Sequence, residues 1–128
     1  MQIRKAVIPA AGIGTRLLPV TKAVPKELLP IIDRPSIQYV IQEAIDSGIR
    51  EIALVVSPGK EALIDYFRSD PSLENWLRKK GKSNLAHELK RISRMARITK
   101  IVQRRPLGLG HAVLCAEKFV GKDPFAVL

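Results

Sequence analysis

Between positions 9 and 27 the chain reads Pro9-Ala10-Ala11-Gly12-Ile13-Gly14-Thr15-Arg16, then reaches Pro19, Pro25, Lys26 and Glu27, a combination suited to holding a polyphosphate. A phosphate chain needs backbone N–H groups brought close to it. Gly12 and Gly14 permit that because glycine has no Cβ and tolerates positive φ. The small side chains of Ala10 and Ala11 leave space for a base. Charge that builds on a departing phosphate must be offset by cations, and Arg16 and Lys26 are the two at hand, with Pro25 stiffening the backbone before the lysine. An exposed Arg or Lys is ordinarily a solvated charge. Two of them flanking a phosphate loop favour the functional reading.

Two familiar phosphate loops do not fit this spacing. A P-loop requires G-x-x-x-x-G-K-[ST], and no Lys-Ser/Thr pair follows a second glycine here. A dinucleotide fingerprint requires a small residue at the last position of G-x-G-x-x-G/A, and Leu17 stands there. A lone G-x-G most often makes no more than a tight turn. Other reactive side chains are sparse. His87 and His111 acquire no role, Cys115 borders an apolar helical stripe and reads as a small packed residue, and no zinc-ligand spacing occurs. A single cysteine allows no intrachain disulfide and suits a reducing compartment.

The elements that must position this loop read as an α/β alternation. Ile3 to Ala11 and Ile52 to Val56 are apolar runs expected to be buried parallel strands. Between them Ile37, Val40, Ile41, Ala44 and Ile45 fall at helical spacing, with Ser36 available as N-cap and Gly48 placed to end the helix. Helices are expected over 60–67 and 85–96, and a strand over 98–102. A further helix carries Leu109, Ala112, Val113, Ala116 and Val120, and a strand begins at Phe125-Ala126-Val127-Leu128. The stretch from Asp70 to Asn84 reads as a polar excursion between elements. Such an alternation predicts a mainly parallel sheet with right-handed crossovers and ligands at the carboxyl ends of its strands.

Composition narrows the partners. The 128 residues suffice for one domain with a real core. No run of 18 uncharged apolar residues exists to span a bilayer, and the N-terminal MQIRKAVIPAAG is too short and too soon interrupted to be a signal peptide. The net charge of +10 is unevenly placed: 11 basic residues against one acid, Glu88, lie between Arg78 and Arg105, and the remainder is balanced. That segment has no Phe, Tyr or Trp on which bases could stack, so a solvated face or a protein contact is favoured over nucleic acid.

The longer pattern decides the glycine loop. PAAGIGTRLLPVTKAVPKELLPI resembles the signature of the sugar-1-phosphate nucleotidyltransferases: two small residues, G-x-G-T-R, then L-x-P-x-T and P-K at that family's spacing. The likeness continues through PSIQYVIQEAIDSGIREIALVVSP and QRRPLGLGHAV, and so covers essentially the whole chain. Within the family it is similar to the bacterial branch that moves a uridylyl group from UTP to glucose 1-phosphate. The grounds are Ala10-Ala11 before the first glycine, Glu27 after the lysine and the long excursion between Ser57 and Ile98.

The resemblance implies a Rossmann-like nucleotidyltransferase fold, a mainly parallel sheet flanked by helices and incomplete at its C-terminus. Residues 1–128 would be the N-terminal nucleotide-binding portion of a single larger domain. It implies that Gly12, Gly14 and Thr15 contact the triphosphate beside Ala10, that Arg16 meets the departing pyrophosphate, and that Lys26 meets the α-phosphate. Base recognition falls by the same likeness to Ala11, Gly12, Glu27, Gln103 and Gly108. Uracil offers one N–H between two carbonyls, and a Gln amide can meet both kinds of group. Mg²⁺ is the implied cofactor, its acidic ligand lying just beyond the strand that FAVL begins and the sugar contacts later still, so the 128 residues alone are expected to be inactive. UTP and glucose 1-phosphate are the implied substrates, with no nucleic acid or membrane partner, a homo-oligomeric full-length protein and a cytoplasmic location. The competing readings are a thymidylyl- or other sugar-phosphate nucleotidyltransferase, or a non-catalytic nucleotide- or nucleic-acid-binding module.

Overall fold

The structure, a computed structural model, describes residues 2–128. Its centre is a four-stranded parallel sheet of β1 (Lys5–Pro9), β4 (Glu51–Val56), β5 (Arg97–Val102) and β6 (Phe125–Val127), in the order β5-β4-β1-β6. A small antiparallel hairpin, β2 (Pro30–Ile31) with β3 (Arg34–Pro35), stands apart from it. Strand β1 is in register with β4 from Lys5 opposite Glu51 to Pro9 opposite Val55, and β4 with β5 from Glu51 opposite Arg97 to Val56 opposite Val102. Ala6 and Val7 of β1 and every residue from Ile52 to Val56 are fully buried, as continuous apolar runs must be when helices cover both faces of a parallel sheet.

The pleat sorts those residues into two cores. Ala6, Ile8, Ile52, Leu54 and Val56 point to one face, where they pack with Ile37, Ile41 and Ala44 of α1 (Ser36–Asp46), Leu63 of α2 (Glu61–Asp65) and Ile92 of α4 (Ser83–Ser93). Val7, Ala53 and Val55 point to the other, against Ala112 of α5 (Leu109–Leu114), Ala116, and Val120 of α6 (Glu117–Val120). The apolar stripe from Leu109 to Val120 is thus carried by two short helices broken at Cys115-Ala116, and Leu109 itself is exposed.

Local expectations fail in two places for physical reasons. Ser36 does not cap α1: the cap position is Pro35, and the Ser36 hydroxyl donates instead to the Glu27 carbonyl at 3.0 Å, tying the helix to the segment that carries Lys26. The stretch from Asp70 to Asn84 is not an excursion but holds α3 (Pro71–Lys79). The Asp70 carboxylate accepts from the Leu73 N–H at 3.1 Å, Pro71 occupies the first turn where its missing N–H costs nothing, and Leu77 is buried. The basic segment runs over the end of α3, over α4 and along β5. Because β5 is an edge strand, its exposed Arg97 and Lys100 also blunt pairing with other chains.

Asp70→Ala removes the cap of α3 and is expected to cost about 1 kcal/mol. Urea unfolding read by circular dichroism should show a lower midpoint with an unchanged slope, and an unchanged midpoint would show that α3 does not depend on its cap.

Candidate functional site

Because the four main strands are parallel, the loops after β1, β4 and β5 emerge at one edge of the sheet. The Ala10 N–H donates to the Val55 carbonyl at 2.7 Å and the Gln103 N–H to the Val56 carbonyl at 2.8 Å, so both residues are held at that edge by the ladder itself. Strand β6 lies on the opposite side of β1 from β4 and β5, which makes the carboxyl end of β1 the point where strand order reverses and a crevice opens. A cleft of about 350 Å³ lies there. Ala11, Gly12 and Lys26 line one wall, and Gln103, Gly108, Leu109 and Ala112 the other.

The loop itself is built around Gly14, whose φ of 72° is left-handed. A Cβ there would stand 3.1 Å from Thr21 Cγ2 and 3.2 Å from Lys26 Cβ, so the backbone angle favours glycine and any side chain would also push these neighbours back by a few tenths of an ångström. The Thr21 hydroxyl donates to the Gly14 carbonyl at 2.8 Å and closes the turn. Gly12, unlike Gly14, is not left-handed. A Cβ at Gly12 would stand 3.6 Å from Lys26 Nζ, an ordinary contact, so space alone does not require glycine there. Thr15 and Arg16 follow on an exposed 3-10 turn, Thr15–Leu17, and Arg16 does not line the cleft.

Lys60 is the functional side chain that sequence reasoning missed. Its ammonium donates to the Ala10 carbonyl, to the Gly12 carbonyl at 3.1 Å and to Glu27 Oε1 at 2.9 Å, with the Lys60 and Glu27 side chains 12% and 14% exposed. The available signal was a lysine directly after the Ser57-Pro58-Gly59 turn at the end of a parallel strand. Two expectations change as a result. Ala10 is 1% exposed and packs in the core, so Ala11 alone of the pair faces the cleft. The Glu27 carboxylate lies against Lys60 behind the loop, outside the cleft lining. With Lys60 engaged, Lys26 is the cation at the cleft: among the described residues its ammonium makes no ion pair or hydrogen bond, and it stands beside Gly12.

At the opposite wall Gln103 is 5% exposed, and its Nε2 donates to the Gly108 carbonyl at 3.3 Å and lies 2.9 Å from His111 Nδ1. Cys115 Sγ is 3.8 Å from the same ring nitrogen, a contact that the four-residue spacing of His111 on α5 and Cys115 at its C-cap could have flagged. Gly108, at φ 94°, precedes α5 and presents its carbonyl to both Gln103 and the Ala112 N–H. No carboxylate among the described residues lines the cleft to hold a Mg²⁺ ion. Among the described residues no three His, Cys, Asp or Glu side chains stand together, and the carboxylate at the loop is taken by Lys60.

A glycine-built turn and a lysine without a partner among the described residues at one wall, with a held amide at the other, stand at the switch point of a parallel sheet, where open α/β folds bind their ligands. Residues 5–128 match the nucleotidyl transferase family, and the chain belongs to it. It is 54% identical over 127 residues to the UTP–glucose-1-phosphate uridylyltransferase of Bacillus subtilis (strain 168), a match covering 99% of this chain and 44% of that protein. The protein of the same name from Mycoplasma pneumoniae gives the same figures. Among solved structures, UTP-bound UGPase from Acinetobacter baumannii superposes with a TM-score of 0.95 at 46% identity, over 99% of this chain and 45% of that one. A UDP-glucose pyrophosphorylase complexed with UDP-glucose superposes at 0.82 with 39% identity, over 99% and 45%. The chain spans less than half the length of these relatives.

Gly14→Ala places a Cβ in the left-handed region and against Lys26, a strain of about 1–2 kcal/mol before any displacement of the lysine. UTP affinity measured by calorimetry is expected to fall about tenfold or more, and wild-type affinity would show that the turn does not set the lysine.

Proposed function

We propose that this chain forms the nucleotide-binding portion of an enzyme that transfers a uridylyl group from UTP to glucose 1-phosphate, giving UDP-glucose and pyrophosphate. The observation that carries the reading is a single cleft with the unpaired Lys26 and the glycine turn at one wall and the Gln103 amide at the other. The names of the relatives support the choice of uracil and glucose over the thymidylyl and non-catalytic alternatives. Residues 1–128 are the N-terminal portion of a larger nucleotidyltransferase domain in this reading, which the 44% share of the Bacillus protein supports.

The reaction asks little covalent chemistry of the protein. An oxygen of the sugar phosphate attacks the α-phosphorus of UTP, a new P–O bond forms, and the bond to the β-phosphate breaks with its electron pair leaving on pyrophosphate. Catalysis is then alignment and charge compensation. Lys26 offsets the α-phosphate, Arg16 reaches the departing pyrophosphate from its exposed turn, and Gly12, Gly14 and Thr15 bring backbone N–H groups to the triphosphate. Ala11, Gly12, Gln103 and Gly108 meet the base, while Ala10 and Glu27 act from behind, through the Lys60 contacts that hold the loop. A Mg²⁺ ion, its acidic ligand placed beyond residue 128 in this reading, would add charge neutralisation at the phosphates.

A homo-oligomer in the cytoplasm, without nucleic acid or membrane partners, completes the reading. No helix among the described residues is long and apolar enough to cross a membrane. The basic segment has no aromatic residue, and Trp76 just outside it lies under the Lys80 ammonium, 5.8 Å from the ring centroid.

Assayed in the whole enzyme with UTP, glucose 1-phosphate and Mg²⁺, Lys26→Ala and Arg16→Ala should lower kcat by about a hundredfold, more than they raise KM for UTP. A rise in KM with kcat intact would remove the transition-state role. Gln103→Leu should cut the preference for UTP over CTP and ATP by roughly 5- to 150-fold while triphosphate binding persists. An unchanged preference would make Gln103 a bystander.

A further inference from the structure

The Gln103 amide can present either of two faces to a base, an oxygen or an NH₂ group, and nothing in glutamine itself selects one. Its surroundings do. The Gly108 carbonyl can only accept, so the amide atom 3.3 Å from it must be the donor Nε2. That same nitrogen lies 2.9 Å from His111 Nδ1, and a second N–H of Nε2 therefore points at a ring nitrogen that must carry a lone pair. His111 is thereby assigned as the tautomer protonated on Nε2. The nearby Cys115 thiol, 3.8 Å from Nδ1, is likewise able to donate to it. With both N–H groups engaged, Oε1 is the part of the amide left for a ligand. It makes no hydrogen bond among the described residues, and no buried side-chain polar atom there is sealed off without a partner, so Oε1 is open to solvent at the cleft that Gln103 lines.

We propose that His111 is a positioning residue that holds the Gln103 amide with its oxygen toward the base, and that this orientation makes the site prefer uracil to cytosine; the inference rests on the uridylyl reading above. Uracil presents an N–H at ring position 3, which an amide oxygen accepts. Cytosine presents a bare acceptor at that atom, so the same oxygen meets a lone pair. Turning the amide over would reverse the match, at the expense of both contacts to Nε2. The Gly108 contact is a weak guard by itself, because it is long and its carbonyl is shared with the Ala112 N–H at 3.1 Å. The shorter contact to His111 supplies most of the bias.

The test compares His111→Leu, which removes the acceptor, with His111→Asn, whose Oδ1 stands close to where Nδ1 stands and can accept the same N–H. Kd for UTP and for CTP is measured by calorimetry for each and for the unaltered chain. His111→Leu should lose about tenfold in the UTP-to-CTP preference, and His111→Asn should recover most of it. If His111→Leu weakens both nucleotides equally, or keeps the preference, the histidine is structural and the proposal fails while the nucleotide reading stands. If the unaltered chain binds neither nucleotide, or does not distinguish them, the uridylyl reading fails first. Should His111→Leu not fold, ¹⁵N shifts of the His111 ring in the unaltered chain decide the matter. A lone pair on Nδ1 is required, and a proton found there would overturn the proposal.

Discussion

One ammonium group holds three separate stretches of this chain together. Lys60, just beyond β4, reaches the carbonyls of Ala10 and Gly12 in the loop after β1 and the carboxylate of Glu27 beside Lys26. All three of its N–H donors are thereby used in a place where little water competes, the circumstance in which a paired charge keeps its geometry and an unpaired one is costly. The consequence reaches the cleft through the backbone. The carbonyls at 10 and 12 are turned toward Lys60, and the Glu27 anchor holds the turn from which Lys26 projects. Lys60, itself fully engaged, thus organises the segment that carries Lys26, whose ammonium has no partner among the described residues.

That arrangement is possible because the sheet brings the right ends together. Parallel strands put the ends of β1, β4 and β5 on one edge, and alternate residues of β1 and β4 bury themselves in two cores that lock each strand from both faces. Short ladder bonds at Ala10 and Gln103 carry this rigidity one residue past the strands. The hydroxyls of Ser36 and Thr21 then pin the irregular segment between, one to Glu27 and the other to Gly14. Catalytic precision is expected where functional groups sit at the ends of rigid elements rather than within long loops; Gln103 meets that condition at the end of β5, whereas Lys26 lies in the irregular segment and depends on those pins.

Much of this was legible in the sequence because its signals are local. Uninterrupted apolar runs gave the central strands, helical spacing with Gly48 gave α1, and Gly14 declared a backbone angle that other residues rarely adopt. What was missed depends on contacts distant in sequence or on competition between partners. Lys60 lies 33 positions from Glu27, and only the parallel register makes them neighbours. Ser36 had a cap to make and made a tertiary hydrogen bond instead. The helix α3 was hidden because its exposed face is so polar that its few buried residues, Glu74 and Leu77, leave a faint stripe, although Asp70-Pro71 is a start signal. His111 was passed over for lack of metal-ligand neighbours, when its partner is the amide eight residues back.

The central claim is that the nucleotide lies across the cleft at the carboxyl end of β1, with its base at Gln103 and its phosphates at Lys26. Backbone amide shifts followed by NMR while UTP is added to the chain address it directly. The account predicts that the amides of Ala11, Gly12, Gln103 and Gly108 move together with one saturation curve. Shifts confined to the separate apolar groove near Val40 and Ala44, with those four amides unmoved, would contradict it.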